Sequence, residues 1–361
     1  MSVRVAISTG GGDAPGLNAV IRAIVLSGLR RGWDVFGVER GYAGLLGSAR
    51  FITMDRESVK GIVRFGGTIL GTTNRGNPFR WPVRQADDTW IEVDRSDEVI
   101  ESFRQLALDA LIVVGGDGSL HIAHQLCQKG LPIVGVPKTI DRDVSGTVMT
   151  FGYDTAIQTA TDAIDKLHAT AESHQRVMVV EVMGRNCGWI ALHSGLAGGA
   201  DVILIPEIPY DMERVYRKIR EREAEGRHFS IVVVSEGARP KEGKVTVKAA
   251  AQVGGAERLG GVAEVVAAQI AEGTGKETRS LSLGHLLRGG SPTTFDRVLG
   301  QRFGTAAVEA VADARWGHMV ALDPPDIVLV PLEAVTGAPN QVPPDADSVK
   351  TARAQGICLG D

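Results

Sequence analysis

The segment Val134-Gly135-Val136-Pro137-Lys138-Thr139-Ile140-Asp141-Arg142-Asp143 places two carboxylates beside a lysine at the end of an apolar run. Asp141 could take the proton of an attacking hydroxyl. Asp143 could orient that hydroxyl or a metal, and Lys138 could neutralise charge developing on a transferring phosphoryl group. Just upstream, Gly115-Gly116-Asp117-Gly118-Ser119 is a glycine turn holding a carboxylate. Such turns let backbone N–H groups approach phosphate, and a hard oxygen ligand such as Asp117 suits a metal that bridges phosphate oxygens. Each piece has a plainer reading, with Asp117 as a helix N-cap and Asp141 and Asp143 as turn formers. Together they are the equipment of phosphoryl transfer.

Other segments extend the set. Gly10-Gly11-Gly12-Asp13-Ala14-Pro15-Gly16 is another glycine turn. It is neither GxGxxG nor a Walker A turn, because no Lys-Ser or Lys-Thr follows where required. Taken alone it reads equally well as a tight strand–helix turn. Arg176, Arg185, Arg279 and Arg288 each stand at a predicted strand end or a glycine turn. The guanidinium fork matches the oxygens of a phosphate dianion, whereas a lone arginine is usually a solvated charge. Glu236 precedes Gly237 and suits a sugar hydroxyl. His121 and His124 are three apart on a predicted helix, but no third ligand is near, and they read as structural.

These turns need elements to hold them. Val3, Val5 and Ile7 alternate, the first glycine turn follows, and Leu17, Val20, Ile21, Ile24 and Val25 then recur at helical spacing. Strand, glycine turn and helix recur at Ala110–Val114, and further strands are predicted at 132–136, 177–182, 202–205 and 231–234. Near-continuous apolar strands alternating with amphipathic segments predict parallel sheets covered on both faces. Ligands of open sheets bind beyond the carboxyl ends of the strands. The expectation is an α/β fold of two Rossmann-like lobes with the site in the cleft between them. Residues 1–150 plus about 286–333 would form one lobe and 151–285 the other. Residues 77–97 read as a loop or hairpin excursion. Residues 334–361 read as a C-terminal arm with little regular structure and no chemical motif.

The 361 residues, 23% charged and 43% hydrophobic, describe a globular chain with room for two domains. A formal net charge of -4 argues against bulk binding to nucleic acid. Cys127, Cys187 and Cys358 have no metal-ligand spacing, and Cys127 and Cys187 read as reduced packing residues. No run is long enough to span a bilayer, and a reducing cytoplasm is the expected location.

Taken in order from Val3 to about Val330, these blocks resemble the 6-phosphofructokinase family. The resemblance rests on Gly11 to Gly16, Gly41-Tyr42, Gly115 to Ser119, Pro137 to Asp143, Phe151 to Ala156, Met183-Gly184-Arg185 and Gly284 to Pro292. It implies phosphoryl transfer to the 1-hydroxyl of fructose 6-phosphate. Asp141 would be the proton acceptor, Asp117 would bind Mg²⁺, and Arg185 would steady the transferring group. Thr139, Ile140 and Asp141 would line the sugar. Met183, Gly184, Glu236, His285 and Arg288, with Leu286 and Leu287 between them, would hold the sugar phosphate. Arg176 and Arg279 would reach the 6-phosphate from a neighbouring subunit, which implies a homo-oligomer, dimer or tetramer. Gly12, Gly116 to Ser119, and Asn74 with Arg75 match donor-binding positions. The family usually has Asn where this chain has Arg142, which would add positive charge beside the base and depress its pKa.

Two positions bear on the donor. In pyrophosphate-using relatives an Asp follows the Gly-Gly-Asp turn and fills the place of ATP's α-phosphate. Gly118 leaves that space open here. The same relatives carry a Lys where this chain has Lys138. A misplaced anion excludes ATP more firmly than a lysine excludes either leaving group, so ATP is expected and pyrophosphate is the alternative. A kinase for a related sugar phosphate such as sedoheptulose 7-phosphate fits the same residues. A non-enzymatic phosphosugar-binding subunit fits less well, because Asp117 and Asp141 are both present.

Overall fold

The computed structural model describes residues 2–47, 50–249, 257–335 and 337–361. In chain order the strands are β1 (Arg4–Thr9), β2 (Asp34–Val38), β3 (Phe51–Met54), β4 (Trp81–Arg84), β5 (Trp90–Val93), β6 (Ala110–Gly115), β7 (Ile133–Pro137) and β8 (Val177–Val182). They continue as β9 (Val202–Leu204), β10 (Ser230–Ser235), β11 (Val247–Ala249), β12 (Arg258–Leu259), β13 (Thr278–Ser282), β14 (His318–Asp323) and β15 (Asp326–Pro331). The α-helices are α1 (Leu17–Arg30), α2 (Ser96–Gln105), α3 (Asp117–Gln128), α4 (Tyr153–His174) and α5 (Trp189–Ala197). After them come α6 (Met212–Ala224), α7 (Val262–Thr274), α8 (Thr294–Ala312), α9 (Leu332–Val335) and α10 (Asp347–Ala354).

One sheet runs β15-β14-β7-β6-β1-β2-β3 and another runs β13-β8-β10-β9. The second is parallel throughout. In the first, only the edge pairs β2–β3 and β14–β15 are antiparallel. The cause lies in the strands themselves. β6 reads Ala-Leu-Ile-Val-Val-Gly and every residue is buried, so both of its faces need cover. Leu17, Val20 and Ile24 of α1, with Leu299 and Phe303 of α8, cover one face. Val99 and Phe103 of α2, with Leu120 and Leu126 of α3, cover the other. The second sheet is sandwiched in the same way by α4 and α5 on one side and α6 and α7 on the other. Each aliphatic side chain buried outright contributes about 1.5–3 kcal/mol. Helix α8 lies close on α1 because Gly304 has no side chain: a Cβ there would meet the Val20 carbonyl oxygen at 2.7 Å.

The strands expected from the apolar runs are all present, and the 77–97 excursion contains the β4–β5 hairpin. The C-terminal segment corrects the expectation of a loose arm. It carries α10, and Val342, Val349, Ala352 and Leu359 enter the core beneath the second sheet. Its backbone also docks on the edge of β9, with the Ile203 N–H donating to the Cys358 carbonyl at 2.9 Å. The apolar spacing of Val349 and Ala352 was masked by the surrounding prolines, which read as loop. Thr336, within that segment, lies outside the described residues. No helix among the described residues is long and apolar enough to cross a membrane. Cys127, Cys187 and Cys358 are free thiols, and Cys187 is buried.

Candidate active site

Strand register assembles the site. In the first sheet β1, β6 and β7 are neighbours, with Thr9 beside Val114 and Gly115 beside Pro137. The three segments singled out in the sequence therefore leave adjacent strand ends: the turn at 10–16, the turn at 115–119 and the acidic segment at 138–143. In the second sheet β13, β8 and β10 are neighbours, with Ser282 beside Glu181 and Val182 beside Ser235. That brings together 283–288, 183–185 and Glu236.

Asp141 is buried, and its Oδ1 has no hydrogen-bond partner. The Thr139 hydroxyl accepts a 3.0 Å hydrogen bond from the Asp141 N–H and sets the turn. Burial pushes the Asp141 pKa up to about 7, and the Asp143 carboxylate adds to the rise; Arg288 and Arg185 oppose it. A carboxyl so placed is ionised over part of the neutral range and has an oxygen free for a substrate proton. Asp143 also has a buried Oδ1 without a partner. Lys138 is buried and donates from Nζ to the Gly12 carbonyl, which links the acidic segment to the first glycine turn. Burial, then Arg288, lowers the Lys138 pKa to about 8, against the pull of Asp143, Asp141 and Asp13.

Gly116, not Asp117, holds the N-cap position of α3, so the N-cap reading of Asp117 is replaced by one in which its carboxylate is free at the first helical residue. Asp117 faces solvent, yet the cleft partly desolvates its carboxyl and raises its pKa, as does Asp143; His121 and Arg185 act against that. A Cβ at Gly118 would meet nothing within 4 Å, whereas Ser119 packs its hydroxyl against Gly10 and Gly115.

From the second sheet, the Glu236 carboxylate accepts the Arg185 N–H at 3.1 Å and braces the 183–185 loop. Burial raises its pKa, which the N–H groups of Arg185 and Gly184 counter. Arg288 donates from Nη1 to the Asp13 carbonyl at 3.0 Å and so crosses from one sheet's loops to the other's. A cavity of about 150 Å³ lies there, lined by Gly11, Gly12, Asp13, Thr72, Thr73, Asn74, His285 and Arg288. Donor-side and sugar-side candidates thus share one space. Thr72 and Thr73 were missed in the sequence. Thr72 donates from Oγ1 to the Gly11 carbonyl at 2.5 Å, and the Gly11 N–H donates to the Thr73 carbonyl at 3.2 Å. Their only signal was adjacency to Asn74 and Arg75.

Some expectations are corrected. Leu287 and Ile140 are fully buried in the core, so neither side chain has a face for a ligand and only backbone remains available; Leu286 is exposed. Arg142 does not press on Asp141. Its backbone is left-handed (φ 56°), which turns the side chain outward, and its guanidinium lies 4.3 Å from the centre of the Trp189 ring. Its Nε donates to the Val148 carbonyl at 3.0 Å. The cation is spent on an aromatic face, and Asp141 is raised rather than lowered. Arg176 and Arg279 stand at the opposite ends of β8 and β13 from the cleft, where both pair with Glu277 at 3.0 and 2.7 Å. The six residues of β8 put Arg176 about 20 Å from Met183.

Among the described residues no three His, Cys, Asp or Glu side chains gather as a ready metal cage. Mg²⁺ does not need one, because it is commonly held by one or two carboxylates together with substrate phosphates. Asp117, within electrostatic reach of Asp143 with its unpartnered oxygen, fits that pattern.

The crossing arginine gives a prediction. A Cβ at Gly12 would come within 2.5 Å of Arg288 Nη1. The tip of a flexible side chain can move, so Gly12→Ala should leave the melting temperature nearly unchanged while displacing Arg288 from Asp13. The Michaelis constant for the ligand that Arg288 holds should rise about tenfold, the scale of one charge-assisted hydrogen bond. Unchanged saturation kinetics would show that Arg288 does not bind substrate.

Comparison with known proteins gives concordant matches. The model of the family described as "Phosphofructokinase" matches residues 4–311. A curated protein from Chloroflexus aggregans, named ATP-dependent 6-phosphofructokinase, is 51% identical over 358 residues, covering 99% of this chain and 98% of that one. A protein from Amycolatopsis methanolica, named pyrophosphate–fructose 6-phosphate 1-phosphotransferase, is 48% identical over 346 residues, covering 95% and 97%. The crystal structure of Pichia pastoris phosphofructokinase in the T-state superposes with a TM-score of 0.80 at 31% identity, covering 99% of this chain, which spans 37% of that longer one.

Proposed function

The chain belongs to the phosphofructokinase family, and from that premise we propose that it transfers the terminal phosphoryl group of ATP to the 1-hydroxyl of fructose 6-phosphate, giving fructose 1,6-bisphosphate. The observation that carries this reading is Asp141, a buried carboxyl with a free oxygen and a pKa of about 7, within electrostatic reach of Arg288 and Arg185. Asp141 receives the proton of the sugar hydroxyl as that oxygen attacks. Arg185 and Lys138 offset charge on the transferring group, and Asp143 keeps the Asp141 carboxyl proton-hungry. Thr139, Met183, Gly184, Glu236, His285 and Arg288, with the backbone at 140 and 286–287, orient the sugar phosphate. Gly12, Asn74, Arg75 and Gly116 to Ser119 receive the donor. Asp117 would hold Mg²⁺, which shields the phosphate oxygens from one another when bound.

The donor side comprises residues 1–150 and about 286–333, and the sugar side 151–285, with 334–361 packed on the latter. Arg176 and Arg279 lie too far from their own cleft to touch the sugar, so they serve the 6-phosphate of a neighbouring copy, and the enzyme works as a homo-oligomer in the cytoplasm. The open space at Gly118 favours ATP. Lys138 and the Amycolatopsis relative favour pyrophosphate as the second reading. The test is formation of fructose 1,6-bisphosphate with Mg²⁺ and either donor. Turnover with ATP is expected. Turnover with pyrophosphate alone would transfer the donor assignment to Lys138, and turnover with neither would overturn the reading.

A further inference from the structure

The C-terminal segment threads behind the cleft and touches loops from both sheets. The Asn340 backbone N–H donates to the Asp143 carbonyl at 2.8 Å, and its Nδ2 donates to the Arg142 carbonyl at 3.1 Å. Its own carbonyl accepts the Trp189 Nε1–H at 2.8 Å. One residue later, Gln341 donates from Nε2 to the Asn186 carbonyl at 3.2 Å. The Val342 N–H then shares Glu207 Oε1 with the Gly188 N–H, each at 2.9 Å. Ser145 closes the other side by donating to the Ala338 carbonyl at 2.6 Å.

We propose that Asn340 is a positioning residue for the reaction, fixing the peptide that joins the two catalytic carboxylates and tying it to Trp189 at the start of α5. The conformation it holds is one the chain would not keep unaided. Arg142 sits between Asp141 and Asp143 with φ 56°, a left-handed geometry that disfavours side chains other than Asn, Asp and Gly. Such a residue persists only where its surroundings over-determine it. Here the surroundings are the Asn340 amide on its carbonyl, the Val148 carbonyl on its Nε and the Trp189 ring under its guanidinium. Trp189 in turn is tied to Asn340, so the brace is a closed loop of contacts. Without the amide, the peptide after Arg142 is free to turn, and Asp141 and Asp143 are re-aimed together. Binding of the sugar phosphate depends on Met183 to Arg185, Glu236 and Arg288, which Asn340 does not touch.

The inference rests on Asp141 being the base, and the experiment separates the two. Asn340→Asp keeps the shape and removes the donor, because an ionised carboxylate only accepts. It and Asn340→Ala should each lower kcat about 10- to 100-fold, the scale of a misplaced catalytic group. KM for both substrates should stay within about threefold, because the loss falls on the transition state rather than on binding. The melting temperature should move by less than about 3 °C, as expected for loss of one half-buried hydrogen bond in a chain of this size. In an Asp141→Asn background, Asn340→Asp should cost less than about threefold, because residues acting as a unit are non-additive. Unchanged kcat in Asn340→Asp, or a loss that simply multiplies with that of Asp141→Asn, would overturn the positioning role alone. Full activity in Asp141→Asn would instead overturn the reading of Asp141.

Discussion

Replacing Asp141 with Asn is expected to lower kcat by about 10²–10⁴, the usual contribution of a positioned general base. In the unaltered protein kcat/KM should rise with pH through about 7, as the Asp141 carboxyl ionises. That limb should vanish in the variant. The same substitution should stabilise the fold. An unfolded Asp ionises near about 3.9, while the folded Asp141 does so only at about 7. Between those values the folded state keeps a proton that the unfolded state has lost. Stability therefore falls as pH rises through this window and stays reduced above it. An amide carries no such penalty. Thermal melts at about pH 8 should show a clear gain for Asp141→Asn, and at about pH 5 a smaller one. A variant both less active and less stable at the higher pH would mean that Asp141 makes a compensating contact and is not held in readiness for substrate.

The second large effect concerns the donor. A Cβ at Gly118 meets nothing within 4 Å, so an aspartate can enter without moving the backbone. It would occupy the second residue of α3, where the helix dipole favours an anion, and the fold should tolerate it. Its carboxylate would project into the donor space and repel the inner phosphate of a nucleotide. A loss of about 100-fold or more in kcat/KM for ATP is expected, equivalent to about 3 kcal/mol. Pyrophosphate, with no inner phosphate to clash and Lys138 to meet it, should be spared. The measurement is the ratio of kcat/KM for the two donors before and after Gly118→Asp. Retention of full ATP activity would show that charge at this position does not select the donor.

Much of this site was legible in the sequence because the carboxyl end of a parallel strand is a short, local event. Val113-Val114 followed by Gly115-Gly116-Asp117 announces both the strand and what stands at its tip. So do Val134 to Asp143 and Val180 to Arg185. What could not be read was anything that depends on distant chain returning. Arg142 beside Asp141 reads as a perturbing charge until Trp189, 47 positions later, is seen beneath it. Leu287 falls between His285 and Arg288, which line the cavity, yet a short 3₁₀ turn (Gly284–Arg288) rotates it into the core. Thr72 and Thr73 acquire meaning only once β1 carries Gly11 against them. Asn340, in a stretch of prolines and small residues, gives no local sign of the loops it binds.

The order in which the strands enter each sheet has a consequence for synthesis. The first sheet begins with β1 but receives β14 and β15 only after the whole second sheet has been specified. The second sheet, in turn, has its β9 edge covered by backbone at Cys358. A chain emerging from the ribosome at about 5–20 residues per second therefore exposes the unsealed flank of β7 and the bare edge of β9 for much of its elongation. Nascent chains arrested before residue 318 should be protease-sensitive and bound by chaperones, although all the proposed catalytic and binding residues, Gly12 to Arg288, are already present. The elements that seal both sheets, β14 and the backbone at Cys358, therefore enter the fold late in the chain.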